Sequence, residues 1–168
     1  KRFGIWNEIT YGEFWTQVQY IGSALNYFGI ARNDKVAIHS ENRPEWLIAD
    51  IGIQSLGAIS VGLYPTNPPA EVQYLLSHSE SKILFAEDQE QVDKALEVIK
   101  DIPNLTKIVY FEKKGLFRYE SDKLLSWDNF LEIGKTEYEK DKNFVTSSID
   151  KIKSEDVALM IYTSGTTG

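Results

Sequence analysis

Amphipathic helical segments and short apolar runs alternate along this chain, and that alternation limits the folds open to it. The first helix is the clearest, because Thr10 and Glu13 have capping-box spacing and apolar residues then recur at helical intervals until Gly29. Five short apolar runs predict strands at residues 36–39, 58–63, 82–86, 108–111 and 157–163. Further helices are predicted from Pro44 to about Gly57, at 70–78 and at 89–100.

Strands that are separated by helices of this length pair in parallel through right-handed crossovers. The predicted fold is therefore α/β, with a layered and mainly parallel sheet that carries helices on both faces. In such sheets, ligands bind beyond the carboxyl ends of the strands. We expect any binding site to lie at that edge.

Residues 112–155 differ from the rest of the chain, because they are rich in Lys, Asp, Glu and Ser. Their mixed charge and one helical candidate, residues 126–133, predict a solvated connecting region with a single docked helix. The chain has 168 residues, of which 42% are hydrophobic, and this suffices for one domain with a sizeable core. We therefore expect residues 1–168 to belong to a single domain.

Charge and cysteine content exclude several classes of function. The 18 basic and 25 acidic residues give a net charge of −7, which argues against a nucleic-acid-binding surface. The absence of cysteine excludes disulfides and thiolate catalysis within these residues and is typical of a cytoplasmic protein. The most apolar stretch, residues 51–64, is shorter than the roughly 18 to 20 residues of a membrane-spanning helix. No transmembrane segment is expected, whereas peripheral membrane attachment stays open.

The last residues, Tyr162 to Gly168, form a loop rich in glycine and hydroxyl side chains after an apolar strand. Glycine lets the backbone approach a ligand closely, and successive N–H groups in such a turn bind anions. The residues expected to bind phosphate are Thr163, Ser164, Gly165, Thr166, Thr167 and Gly168. The spacing differs from Walker A and no G-x-G-x-x-G occurs, which disfavours a P-loop NTPase and a Rossmann dehydrogenase. On the pattern alone, an ordinary polar turn is the alternative.

Other polar residues are expected to serve the structure. His39 and His78 have no Asp, Glu or Cys at metal-ligand spacing, so each is interpreted as a satisfied or surface histidine. Residues 42–46 have the composition of a helix entry, with Asn and Pro shaping the turn and Trp packing inward. Glu87 and Asp88 follow a strand, where they could contact a ligand or cap the next helix, and capping is the expected role.

Several blocks in matching order resemble the adenylate-forming superfamily of acyl-CoA synthetases, luciferases and peptide-synthetase adenylation domains. Tyr162–Gly168 is similar to its phosphate loop. The upstream blocks that resemble the family are residues 9–13, 34–38, 42–46 and 57–65. Residues 71–88 are most similar to the long-chain fatty acyl branch.

The resemblance implies that the chain is the first part of the large N-terminal AMP-binding domain of a longer enzyme. Motifs that follow the phosphate loop in the family, including the C-terminal catalytic lysine, are not in this sequence. The parent enzyme would activate a long-chain fatty acid with ATP and transfer the acyl group to coenzyme A. Thr163–Gly168 would hold the ATP phosphates, and Thr163 would reach ATP-bound magnesium. No catalytic residue is expected in this chain, and residues 1–168 alone are expected to be inactive.

Two alternatives stay open. The parent could adenylate an aryl, acetyl or amino acid, because the acyl pocket is expected mainly downstream of these residues. The chain could also be a non-catalytic α/β nucleotide-binding or scaffold module that retains the loop.

Overall fold

The fold comes from a computed structural model that describes residues 5–163. Its helices are α1 (Tyr11–Tyr27), α2 (Pro44–Gln54), α3 (Pro69–Ser79), α4 (Gln89–Glu97), α5 (Trp127–Lys140) and α6 (Phe144–Ile149). Its strands are β1 (Lys35–His39), β2 (Ile59–Leu63), β3 (Ile83–Ala86), β4 (Lys107–Tyr110), β5 (Leu124–Ser126) and β6 (Leu159–Ile161). A 3₁₀ turn, Ile99–Asp101, follows α4, where the sequence predicted that the helix would continue to residue 100.

The six strands form one sheet in the order β5-β4-β3-β1-β2-β6, and every neighbouring pair is parallel. The first strand lies at the centre, so that Ala37 pairs with Val61 on one side and with Leu84 on the other. The chain therefore builds outward from β1 in both directions. This arrangement confirms the predicted parallel α/β fold.

Helices cover both faces of the sheet, as predicted. Val36 and Ile38 point into a core formed with α1, α2 and α5, whereas Ala37 between them points into a core formed with α3 and α4. A strand alternates its side chains between two faces, so both faces of β1 need apolar residues. The nearly continuous apolar sequence of β1 follows from this double burial.

The capping box at the start of α1 is confirmed. The Thr10 hydroxyl oxygen accepts a hydrogen bond from the Glu13 N–H at 3.2 Å, and the Thr10 N–H donates to Glu13 Oε2 at 2.8 Å. These two bonds satisfy the N–H groups of Thr10 and Glu13, which have no carbonyl partner inside the helix. The start of this helix is thus set locally by the sequence.

Residues 112–155 contain more regular structure than the sequence predicted. The predicted helix at 126–133 is α5, which continues to Lys140, and the prediction lacked both α6 and the edge strand β5. The buried side of α5 is made by Trp127, Phe130 and Gly134. Because glycine is one of these buried positions, the apolar periodicity ends before the helix does.

Among residues 5–163, no helix is both long and apolar enough to cross a membrane.

Candidate functional site

The carboxyl edge of the sheet holds a cleft of about 290 Å³ where β1, β2 and β6 end. Its walls come from residues 40–42 after β1, Trp46 of α2, residues 62–65 at the end of β2, and Leu159 and Ile161 of β6. All strands are parallel, so the segment that follows β6 leaves the sheet at this same edge. The cleft is the candidate binding site because β6, which leads toward the predicted phosphate loop in the sequence, forms part of its wall.

The predicted phosphate-binding residues fall at the limit of the described structure. Thr163 is the last described residue, two positions after β6 ends at Ile161. Ser164, Gly165, Thr166, Thr167 and Gly168 lie outside the described residues. The predicted strand at 157–163 is shorter than expected, since β6 covers only Leu159–Ile161.

The direction of the chain reverses between β1 and β3, because the chain leaves these neighbouring strands toward opposite sides of the sheet. From β1 it continues through α2 to β2, and from β3 it continues through α4 to β4 on the far side. The two helices pack on opposite faces of the sheet. This is the topological switch point at which open α/β sheets place ligands. One wall of the cleft, residues 40–42, begins here.

The side chain of Glu87 bridges the ends of β3 and β1. Its Oε2 atom accepts hydrogen bonds from the Glu41 N–H at 2.7 Å and from the Ser40 hydroxyl at 3.3 Å. Asp88, not Glu87, caps α4, because Asp88 Oδ1 accepts from the Glu90 N–H at 2.9 Å. The predicted capping role is therefore confirmed for Asp88 and wrong for Glu87. Glu87 instead holds the loop after β1 against β3.

Arg43 extends this network at the entry to α2. Its Nε lies 2.8 Å from Glu45 Oε2, its Nη2 lies 2.8 Å from Glu112 Oε1, and its Nη1 lies 3.6 Å from Glu87 Oε1. The guanidinium also lies 5.3 Å from the centre of the Phe111 ring. Burial alone would lower the pKa of Arg43, but the hydrogen bonds and charges of Glu45 and Glu112 outweigh it and raise that pKa. Arg43 is therefore a fixed cation that ties the loop after β1 to the residues that follow β4.

The helix-entry interpretation of residues 42–46 is confirmed, with one addition. Pro44 is the first residue of α2, and Trp46 packs partly buried against the core. The same Trp46 also lines the cleft. Trp46 therefore has two roles, since it packs against the core as predicted and also forms part of the wall of the candidate site.

His39 supports the opposite wall of the cleft. It is fully buried at the end of β1, and its Nε2 lies 3.0 Å from the carbonyl oxygen of Tyr64. Because a carbonyl only accepts, Nε2 must carry the hydrogen. Burial, and to a smaller extent the positive charge of Lys94, lower the pKa of His39 to about 4, so the ring is neutral at physiological pH. The Lys94 ammonium donates to the next carbonyl, that of Pro65, at 2.7 Å.

Two side-chain contacts hold the short strand β6 at its two ends. Before it, Arg32 Nη2 lies 2.6 Å from both carboxylate oxygens of Asp156, and Arg32 Nη1 donates to the Lys151 carbonyl at 2.6 Å. After it, the Tyr162 hydroxyl lies 2.7 Å from His78 Nδ1. The sequence analysis assigned no role to Arg32 or Asp156, because these residues are 124 positions apart and share no local pattern.

The described residues offer no ready-made metal centre. No group of three or more His, Cys, Asp or Glu side chains within residues 5–163 is placed to hold an ion. His39 and His78 are both engaged in the contacts given above.

The sequence profile described as AMP-binding enzyme matches residues 2–168. Long-chain-fatty-acid–CoA ligase ACSBG2 of Xenopus laevis is 30% identical over 167 residues, which cover 97% of this chain and 21% of the relative. Long-chain-fatty-acid–CoA ligase FadD15 of Mycobacterium tuberculosis is 30% identical over 165 residues, which cover 98% of this chain and 26% of the relative. The chain thus spans between about a fifth and a quarter of the length of these curated relatives.

A solved structure has the same fold. The crystal structure of the anthranilate CoA ligase AuaEII in complex with anthranoyl-AMP superposes with a TM-score of 0.67 and 24% sequence identity. The match covers 75% of this chain and 23% of that one. At this identity the likeness concerns the fold.

Proposed function

The chain belongs to the AMP-binding enzyme family, and on that premise we propose that it is the first part of the N-terminal domain of a long-chain fatty acid–CoA ligase. The complete enzyme activates a fatty acid with ATP to the acyl-adenylate and then transfers the acyl group to coenzyme A. Residues Thr163–Gly168 hold the ATP phosphates in this proposal. No residue of this chain is assigned a role as nucleophile or general base.

The placement of β6 is the observation that carries the proposal. This strand is parallel to β2 and delivers the following segment to the carboxyl edge of the sheet, beside the 290 Å³ cleft. Backbone N–H groups and hydroxyls in a glycine-rich loop at such an edge are suited to phosphate oxygens. Trp46 and Ile161 form the apolar part of the cleft, and Ile161 is the last residue of β6.

Fatty acids are the proposed substrate class because of the relatives. The two relatives described above, each 30% identical across almost the whole chain, are both named long-chain-fatty-acid–CoA ligases. The anthranilate CoA ligase shares the fold at lower identity. A fatty carboxylate is therefore favoured over an aromatic one.

The proposed reaction has two steps. A carboxylate oxygen of the fatty acid attacks the α-phosphorus of ATP, and the bond from that phosphorus to the bridging oxygen breaks to release pyrophosphate. The coenzyme A sulfur then attacks the acyl carbon and displaces AMP, and the thiol proton passes to solvent. Hydrogen bonds from Thr163–Gly168 would stabilise the charge that collects on the departing pyrophosphate.

Magnesium fits this proposal as an ion carried by ATP. Protein-bound Mg²⁺ commonly takes substrate phosphates and water as ligands and needs only one or two protein oxygens. Thr163 is the residue proposed to contact the ion. When bound, magnesium would neutralise negative charge on the phosphates.

The direct test is ATP–pyrophosphate exchange by the full-length enzyme, with and without a long-chain fatty acid. Exchange that depends on the fatty acid supports both the adenylation chemistry and the substrate class. Exchange that depends instead on an aryl, acetyl or amino acid would keep the chemistry and overturn the substrate class. No exchange with any carboxylate would overturn the proposal in favour of a non-catalytic module. Residues 1–168 alone are expected to form no thioester.

A further inference from the structure

Strand β6 has few backbone hydrogen bonds to fix its position. It is three residues long and, within the described part of the chain, pairs only with β2. On one face of this strand, Ile161 is 63% exposed. On the other face, Met160 and then Tyr162 pack against the core formed with α3 and α4. The contacts of Tyr162 therefore determine where the chain leaves the sheet toward Thr163.

The hydrogen bond and the ring contact of Tyr162 both come from His78 of α3. His78 lies near the end of α3, and its Nδ1 is 2.7 Å from the Tyr162 hydroxyl oxygen. The two rings meet edge to face, with their centres 5.6 Å apart and their planes at 82°. On the preceding helical turn, Tyr74 stacks on the His78 ring at 5.4 Å. Residues four apart on a helix are neighbours, so Tyr74 restricts the rotamers open to His78.

Helix α3 is a firm support for this contact. Val72, Leu75 and Leu76 on its inner side are buried in the same core against which Tyr162 packs. The hydrogen bond therefore joins the end of an edge strand to an element that is seated by its whole apolar face. Without this hydrogen bond, the side chain of Tyr162 would be held only by the packing of its ring.

We propose that His78 is a positioning residue that fixes the base of the phosphate loop through the Tyr162 hydroxyl. This inference rests on the proposed function, because it assigns His78 a role in binding ATP through residues Thr163–Gly168. Phosphate-binding loops act through backbone N–H groups that already point at the ligand. If the residues at the base of such a loop move freely, that conformational freedom is lost on binding and the affinity falls. Without the His78 contact, ATP would bind more weakly. Binding of the fatty acid would be unchanged.

A double-mutant cycle in the full-length enzyme tests this role by ATP–pyrophosphate exchange. The variants are His78→Leu, Tyr162→Phe and the two combined. Because one net hydrogen bond is lost in each, we expect the KM for ATP to rise about 2- to 10-fold in either single variant. The KM for ATP of the combined variant should be no higher than that of the single variants, since both substitutions remove the same interaction. The KM for the fatty acid should stay at the parental value.

Two further variants separate positioning from general stability. His78→Asn keeps a side-chain amide near the place of Nδ1 and should restore most of the ATP affinity lost in His78→Leu. Tyr11→Phe removes the hydroxyl of a tyrosine that is 94% exposed at the start of α1 and should leave the KM for ATP unchanged. If His78→Leu fails to fold, Tyr162→Phe alone still tests the proposal. This variant removes only the hydroxyl that contacts His78 and keeps the packed ring.

The inference would be overturned if the parent enzyme shows exchange but Tyr162→Phe and His78→Leu leave the KM for ATP unchanged. Additive effects in the combined variant would overturn it as well, because the residues would then act separately. An absence of exchange in the parent enzyme itself would instead remove the proposed function, and the role of His78 with it.

Discussion

Gly134 of α5 lies directly against the backbone carbonyl of Tyr20 on α1, so that a Cβ atom at position 134 would overlap that oxygen. The two helices cover the same face of the sheet, and their backbones meet at this point. Only glycine permits such an approach, because any side chain would have to push the helices apart.

Gly134→Ala is therefore expected to destabilise the chain, although alanine is the better helix former. We expect a loss of about 3 kcal/mol or more in the free energy of unfolding, since the clash is with backbone and cannot be relieved by a rotamer change. Urea unfolding followed by circular dichroism measures this. The matched control is Gly12→Ala at the exposed start of α1, where a Cβ would meet only Thr10 Oγ1 at 3.9 Å. Equal stabilities of the two variants would contradict the prediction.

The buried His39 predicts a pH-dependent stability. Below about pH 6.5 the unfolded chain binds a proton at this residue, whereas in the folded chain the pKa is about 4. The unfolded state thus binds more protons between these values, so stability should fall as the pH falls from 6.5 to 4. The full loss is about 3 kcal/mol.

Unfolding by urea at a series of pH values between 4 and 7 would measure the His39 contribution. His39→Gln is the informative variant, because its amide can donate to the Tyr64 carbonyl but does not titrate. This variant should lose much of the pH slope of the wild type over the interval. An unchanged slope would mean that other groups cause the pH dependence.

Glu87→Gln should loosen the loop after β1, which forms one wall of the cleft. The carboxylate accepts from the Glu41 N–H at 2.7 Å and lies beside the Arg43 guanidinium. Because hydrogen bonds to a charged group contribute more than neutral ones, we expect a loss of about 1 to 3 kcal/mol in the free energy of unfolding. Hydrogen exchange at Glu41 should become faster. Glu97→Gln, an exposed change on α4, is the control and should alter neither quantity.

Thr166→Val tests the proposed phosphate loop by removing one hydroxyl at nearly constant volume. In the full-length enzyme, kcat/KM for ATP in the exchange reaction should fall about 10- to 100-fold, because a hydrogen bond to a charged phosphate is lost. The control is Thr136→Val on α5, whose hydroxyl donates to the Glu132 carbonyl at 2.9 Å on the helix surface. Unchanged kcat/KM in Thr166→Val would mean that the Thr166 hydroxyl does not contact the ATP phosphates.

The sequence predicted what depends on local pattern. The capping box of Thr10 and Glu13, the entry of α2 at Pro44 and the alternating apolar elements are all legible in neighbouring residues. The parallel sheet with helices on both faces follows from that alternation and is confirmed. The strand β5 was not predicted, because three residues that run directly into a helix carry too little periodicity to be recognised.

The sequence by itself determined the fold class and pointed to the terminal loop, since helix and strand periodicities and turn chemistry are properties of nearby residues. Only the tertiary structure decided that Glu87 would hold the Glu41 N–H, that Arg32 would bind Asp156, and that His78 would meet Tyr162. The members of each pair are 46, 124 and 84 positions apart. Their contact depends on the order of the strands and on the register of the sheet, and both are set by how the two apolar faces are covered.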